Sequence, residues 1–267
     1  MTKVLGVGAL NNWQFADRTR QWMYTVRAIA FVVFALAQGR PALGGPPYVT
    51  DDPQPTDYAH FEIYLFNGGT AIRDGIGSAS GLDFNYGAAS DLQLTAVIPL
   101  AIDSPKGGRT ATGLGNIELA AKYKILHQES FGWDIAIFPR VFLPAGSPAV
   151  GERHTSLLLP IWLGRTWGDW STFGGGGCEL SRGGDSQNFC LMGWALTRQV
   201  LPDLQIGAEL NHQTADTRRG RATSGIGAGV IYDLNDHYHL MGSVGPGIQN
   251  AGDTNRTSWY TALLITF

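Results

Sequence analysis

From about Asp57 to the last residue, the chain is a succession of segments in which apolar and polar side chains alternate over roughly ten residues. That period and that length restrict the fold more than any other feature. DLQLTAVIPL sets Leu92, Leu94, Ala96 and Ile98 on one face and Gln93, Thr95 and Val97 on the other. DLQIGAELNHQ repeats the pattern, with Leu204, Ile206, Ala208 and Leu210 set against Gln205, Gly207, Glu209, Asn211 and Gln213. Twelve such segments can be read, from DYAHFEIYLFN to RTSWYTALLITF. Side chains on a strand point alternately to its two faces, and a tilted strand of about 9–11 residues crosses a bilayer.

The connections separate a soluble sandwich from a membrane barrel. Tight turns follow the even-numbered segments: GAAS, HQES, TWGD, VLPD and LNDH. After the odd-numbered ones come longer stretches rich in Gly, Pro, Ser and charge: GGTAIRDGIG, DSPKGGRTATG, PAGSPAVGERH, SRGGDSQ, TADTRRGR and QNAGDTNR. An even strand number with short turns at one end and long loops at the other describes an outer-membrane barrel. Closure also accounts for the ending SWYTALLITF, because lipid cannot satisfy an open sheet edge. Aromatics reinforce the reading as two girdles. Tyr86, Trp133, Trp167, Trp170, Tyr232, Tyr238 and Phe267 sit toward the short turns; Phe66, Phe142, Phe189 and Trp259 sit toward the long loops.

The long apolar run AIAFVVFALA spans residues 28–37, too short for a membrane helix. With Arg27 before it and Ala42-Leu43-Gly44 after it, the run suits a secretory signal. Counting from Met1 makes its basic region long, whereas Met23 gives a signal of ordinary length. The expected organisation is therefore a leader and signal peptide over 1–44, a periplasmic N-terminal segment over 45–56 and a barrel over 57–267. Beyond Gly44 the chain carries 14 basic and 21 acidic residues, a net charge of −7. Nothing in that balance gives the basic footprint of a nucleic-acid partner.

GLDFNYGAASDLQLTAVIPL, GLGNIELAAKYKIL, LLLPIWLGRTWGDWSTFGGGG, AELNHQT and IYDLNDHYHLMGSVG, with YVTDDP at Tyr48–Pro53, resemble an outer-membrane barrel family. That family is labelled MetA-pathway of phenol degradation, or simply transporter. The resemblance covers roughly residues 46–267. It implies passage of small, aromatic or hydrophobic compounds and brings no catalytic residues. The pair Cys178 and Cys190 departs from it. The terminal Phe267 also looks like the signal that barrel-assembly machinery reads.

The polar parity places Glu62, Asp83, Glu118, Lys122, Asp134, Arg140 and Glu209 in the lumen. Two readings stand side by side. A mixed-charge constriction would select solutes. Alternatively, opposite charges facing across strands stabilise the sheet and fill the interior, with a turn near residue 128 bringing Lys122 to Asp134 and Glu118 to Arg140. Cys178 and Cys190 lie at equal offsets from Gly184, so a hairpin turning there sets them opposite one another for a disulfide in an exported protein. Glycines such as Gly174–Gly177 and the Gly225-x-Gly227-x-Gly229 series are read as room made in the lumen or as bends, not as a phosphate loop.

His154-x-Ser156 puts an imidazole and a hydroxyl on one strand face, similar to outer-membrane lipid hydrolases. The pair would point inward, away from bilayer lipid, and no orienting Asn or Asp accompanies it. His237 and His239 share a face but lack a third metal ligand other than Asp236. The expectation is an all-β, 12-stranded antiparallel transmembrane barrel in the Gram-negative outer membrane. It would act as a passive channel for small solutes, without catalysis, metal or cofactor. Its partners would be the bilayer, the assembly machinery and a small-molecule solute. A membrane hydrolase using His154 and Ser156, or a structural barrel with partner-binding loops, are the alternatives.

Overall fold

A computed structural model describes residues 47–147, 149–151, 154–181 and 183–267; the leader expected over 1–44 lies outside them. Fifteen strands form one sheet that makes twelve antiparallel passes and closes on itself. Nine passes are single strands: β1 (Phe61–Ile72), β2 (Gly75–Ala89), β3 (Leu92–Pro105), β8 (Ser156–Trp167), β9 (Trp170–Leu180), β10 (Phe189–Leu201), β11 (Leu204–Gln213), β12 (Thr223–Asp233) and β15 (Thr257–Thr266). Three are interrupted: β4 (Ala111–Leu114) with β5 (Ile117–Leu126), β6 (Asp134–Ile137) with β7 (Arg140–Leu143), and β13 (Tyr238–Gly245) with β14 (Gly247–Gln249). Two of the breaks fall at Pro139 and Pro246, where the missing N–H cannot join the ladder. Among the described residues, helix is confined to the four residues of α1 (Gln128–Phe131), and no helix is long and apolar enough to cross a membrane.

The ring is closed by β1 against β15, in register from Glu62↔Thr266 to Ala71↔Thr257. The terminal residue completes this seam. Phe61 N–H donates to the Phe267 carbonyl at 2.7 Å, Phe267 N–H donates back at 3.1 Å, and the Phe267 ring stacks on Phe61, which packs against Tyr86. The last strand of the sequence is thus an ordinary interior strand with both neighbours satisfied.

One parity of every pass is apolar and outward. Leu94, Ile98, Leu119, Ile161, Leu210 and Val244 are all exposed, and together with their neighbours they make a belt far larger than the apolar patches of soluble monomers. Such a surface is stable against hydrocarbon. At the short-turn end, Tyr86, Trp167, Trp170, Tyr232, Tyr238 and Phe267 are exposed at the rim. Of the second expected girdle only Trp259 has the outward parity, opposite the exposed Val244. Phe66 and Phe189 are buried inside the ring, and Phe142 lies beneath the Arg140 guanidinium. Phe66 shares the parity of Glu62 and Tyr64, and strand parity, not height along the barrel, decides which way a ring points.

The asymmetry of the connections survives with three changes. DSPKGGRTATG is mostly paired strand, with only 106–110 left as the turn. HQES lies in a seven-residue connection, 127–133, that holds α1. The third change is at the first hairpin. GGTAIRDGIG is no loop: β1 and β2 remain paired up to Ile72↔Gly75, leaving Arg73 and Asp74 as the turn. The longer connections are 144–155, 181–188, 214–222 and 250–256. Flanking the connection after β9, Cys178 of β9 and Cys190 of β10 are register partners joined in a disulfide. They share the outward parity of Leu159, Cys178's neighbour on β8.

Candidate functional site in the barrel lumen

The segment 45–56, expected on the periplasmic side of the barrel, has its described part seated within the ring of strands. The physical reason is complementary chemistry on the two partners. Val49 N–H and Thr50 N–H both donate to the Glu209 carboxylate at 3.0 Å, and the Thr50 hydroxyl donates to it at 2.9 Å. Asp51 accepts from Lys122 Nζ at 2.9 Å, with both side chains almost wholly buried. Gln54 donates to Asp134 at 2.7 Å and accepts from Lys124. The Thr56 amide donates to Gln93 at 2.8 Å. At the start of the segment the Pro47 carbonyl accepts from the Ser243 hydroxyl. Pro47 and Pro53 are among the most deeply buried side chains of the protein.

Glycines of the wall carve the seat. A Cβ on Gly229 would lie 2.6 Å from the Tyr48 ring, one on Gly207 would lie 2.4 Å from its hydroxyl, one on Gly193 would meet Thr50, and one on Gly164 would meet Pro53. These residues lie on β8, β10, β11 and β12, so several strands of the wall cut the groove. Burial, and secondarily the nearby Glu209 carboxylate, raise the Tyr48 phenol above its usual range, so it stays neutral. Its ring lies 6.0 Å from that of Phe173.

Beside the segment is a cavity of about 260 Å³. Of the lumen residues read from the sequence, Glu62, Asp83, Glu118, Lys122 and Arg140 line it together. Arg140 grips Glu118 through two parallel contacts of 2.7 and 2.9 Å, and both side chains are buried. Paired forks of this kind are the strong form of a charged hydrogen bond. Glu62 accepts from the Tyr64 hydroxyl at 3.0 Å, and Asp83 accepts from Asn85 at 2.9 Å. Lys122 Nζ and the Arg140 guanidinium sit 4.9 and 5.3 Å from the centre of the Phe138 ring, which supplies a favourable face for both cations. Tyr64, Ile231, Met241 and Leu264 form an apolar wall, continuous with the cluster of Phe66, Ala79, Val97 and Ala262.

Asp134 and Glu209 stand apart from this cavity and hold the N-terminal segment. The expected Lys122–Asp134 contact is not made. Asp134 lies 3.8 Å from Lys124 and accepts from the Gln128 amide, whereas Lys122 turns to Asp51. Register explains it: Tyr123 faces Ile137 and Lys124 faces Ala136, which brings Lys124 diagonally to Asp134. Sequence reasoning missed Tyr48, Thr50, Asp51, Gln54, Gln93 and Asn85. For the first four the signal lay in the run YVTDDPQPT, which is too polar for a strand, yet carries two carboxylates that match lumen cations; Asn85 and Gln93 are uncharged strand residues of the inward parity.

The remaining candidates fall outside this cluster. Ser156 is buried, pointing inward as its parity requires, and its hydroxyl has no hydrogen-bond partner among the described residues. His154 is exposed, with its ring against the Gly183 backbone, so the His–Ser hydrogen bond that activates a nucleophile is not formed. His237 bonds the Thr266 carbonyl, while His239 turns inward to Asp233 at 2.6 Å. A separate trio, His127, Glu129 and Asp134, brings ligand atoms within 4.8 Å of one another. Its Asp134 oxygens are already taken by Gln54 and the Gln128 amide.

Residues 51–258 match the family described as "Putative MetA-pathway of phenol degradation". The chain belongs to this family. The match begins at Asp51, inside the lumen segment, and runs to the opening residues of β15, so it takes in residues 51–56 of the seated segment as well as the wall. Solved structures agree with the architecture. The COG4313 outer membrane channel from Pseudomonas putida F1 is similar at a TM-score of 0.69 and 12% identity, covering 81% of this chain and 98% of that one. The KdgM porin, solved in complex with disordered oligogalacturonate, is similar at 0.53 and 12% identity over 77% and 98% of the two chains. The NanC porin is similar at 0.53 and 10% identity over 76% and 98%. At such identities these likenesses bear on the fold. A search of curated protein sequences finds no match.

Proposed function

We propose that the protein is a passive outer-membrane channel for small solutes in Gram-negative bacteria, narrowed by its own N-terminal segment. The observation that carries this reading is the division of its surfaces. The outside of the ring is an apolar belt, and the inside holds a polar, charged cavity bounded partly by a segment that is not part of the wall. A barrel built only for rigidity would fill its interior with wall side chains. Here wall glycines keep space that a separate strand of chain occupies through side-chain contacts, an arrangement that can exchange with water and solute.

The family's description and the apolar cavity wall together favour small aromatic or hydrophobic compounds as cargo. The short-turn end, where both the segment and Phe267 enter the seam, would face the periplasm, and assembly machinery would read the terminal strand. No step of this function requires covalent chemistry. Planar-bilayer recording of refolded protein tests it: discrete conductance steps are expected, and a folded barrel that inserts without producing steps would refute the channel.

A further inference from the structure

The lumen cavity is unbalanced in charge. Asp51, Asp52, Glu62, Asp83 and Glu118 share the lining with Lys122, Arg140 and His239, which leaves three negative charges when every carboxyl is ionised and His239 is counted as neutral. The two cations are already engaged, Arg140 by Glu118 and Lys122 by Asp51 with Asp52 at 3.8 Å. Glu62 and Asp83 instead meet neutral donors, Tyr64 and Asn85, and no cation within ion-pair distance is found for either among the described residues. Carboxylates in a confined space attract a counter-charge strongly, because low-dielectric walls concentrate their field. Across the same cavity stand Ile231, Met241 and Leu264, which offer burial to an apolar group.

We infer that this cavity binds small organic cations, an ammonium group seated between Glu62 and Asp83 with its apolar body against Ile231, Met241 and Leu264. The inference rests on the channel reading for its role in transport, but binding itself does not require conduction. Inorganic cations would satisfy the carboxylates and leave the apolar wall unused. Anionic solutes would meet uncompensated like charge, and neutral ones would forgo the ionic contact.

Titration calorimetry of the folded protein in detergent, at about pH 8 where ordinary carboxyls are ionised, tests this with benzylammonium, benzyl alcohol and benzoate. Benzylammonium is expected to bind more tightly than the other two. The double substitution Glu62→Gln with Asp83→Asn keeps the acceptors for Tyr64 and Asn85, and should weaken benzylammonium by about tenfold or more, the scale of a charge-assisted contact. Heat-modifiable gel migration confirms that the variant barrel is folded. Equal or tighter binding of benzoate, no binding of benzylammonium, or unchanged affinity in the double variant would overturn the inference. Conductance is recorded separately: absence of steps alongside normal benzylammonium binding would refute the channel and leave the cation site standing.

Discussion

Glu209 is the firmest single anchor of the lumen segment, and its removal should release it. The carboxylate accepts three hydrogen bonds, from two amides and one hydroxyl of Val49 and Thr50. Hydrogen bonds to a charged group contribute about 1.5–3 kcal/mol each, net of the water they displace, and because these share one acceptor their contributions do not simply add. A net loss of about 3 kcal/mol in Glu209→Ala raises the ratio of unseated to seated segment by roughly 150-fold. The wall should survive, because the strand neighbours Ala208 and Leu210 point outward and the ladder to β12 does not use this side chain. The readout is limited proteolysis with an Asp-specific endoproteinase, following cleavage before Asp51 and Asp52 by mass. When opening is fast relative to cleavage, the rate tracks the unseated population, so cleavage should accelerate by about two orders of magnitude. Glu209→Gln, which keeps one acceptor oxygen, should fall between. A folded Glu209→Ala barrel cleaved at the wild-type rate would refute the seating account.

Gly229→Val places side-chain atoms where the Tyr48 ring lies. It should accelerate the same cleavage, while the thermal unfolding of the barrel, read by loss of heat-modifiable migration, stays within a few degrees of wild type; unchanged cleavage would show that the groove does not hold the ring. Deleting Phe267 removes its stack on Phe61 and two seam hydrogen bonds, about 1–3 kcal/mol at the closing edge. Slower folding into lipid vesicles is expected, with unaltered step size in the molecules that do insert, and normal folding kinetics would contradict the role given to the seam.

Much of the barrel is written in period two. Leu92 to Ile98 and Leu204 to Leu210 declare their outward faces, and the equal offsets of Cys178 and Cys190 around Gly184 fix them as partners. Where strands leave the apolar zone this signal disappears. Gly68 to Ile72 and Gly75 to Ser80 are paired strand with the composition of a loop, because Gly, Ser and Thr there interrupt the apolar–polar alternation while the backbone ladder continues. The lumen charges were legible by parity, and the Glu118–Arg140 pair by hairpin register. The partner of Lys122 was not, since Asp51 comes from a segment with no secondary-structure period at all. A chain held by side chains in a groove of glycines leaves no repeat for sequence to show. The two halves of that contact, YVTDDP and the glycines of β8, β10, β11 and β12, are far apart in sequence and meet only in three dimensions.

The central claim is that residues 47–56 narrow a solute path through the barrel. It is tested most directly by planar-bilayer conductance of refolded residues 45–267, compared with the same protein lacking 45–56. The account predicts discrete steps from the longer protein and larger, more uniform steps once the segment is gone. Steps of the same size from both, or no steps from either folded barrel, would contradict it.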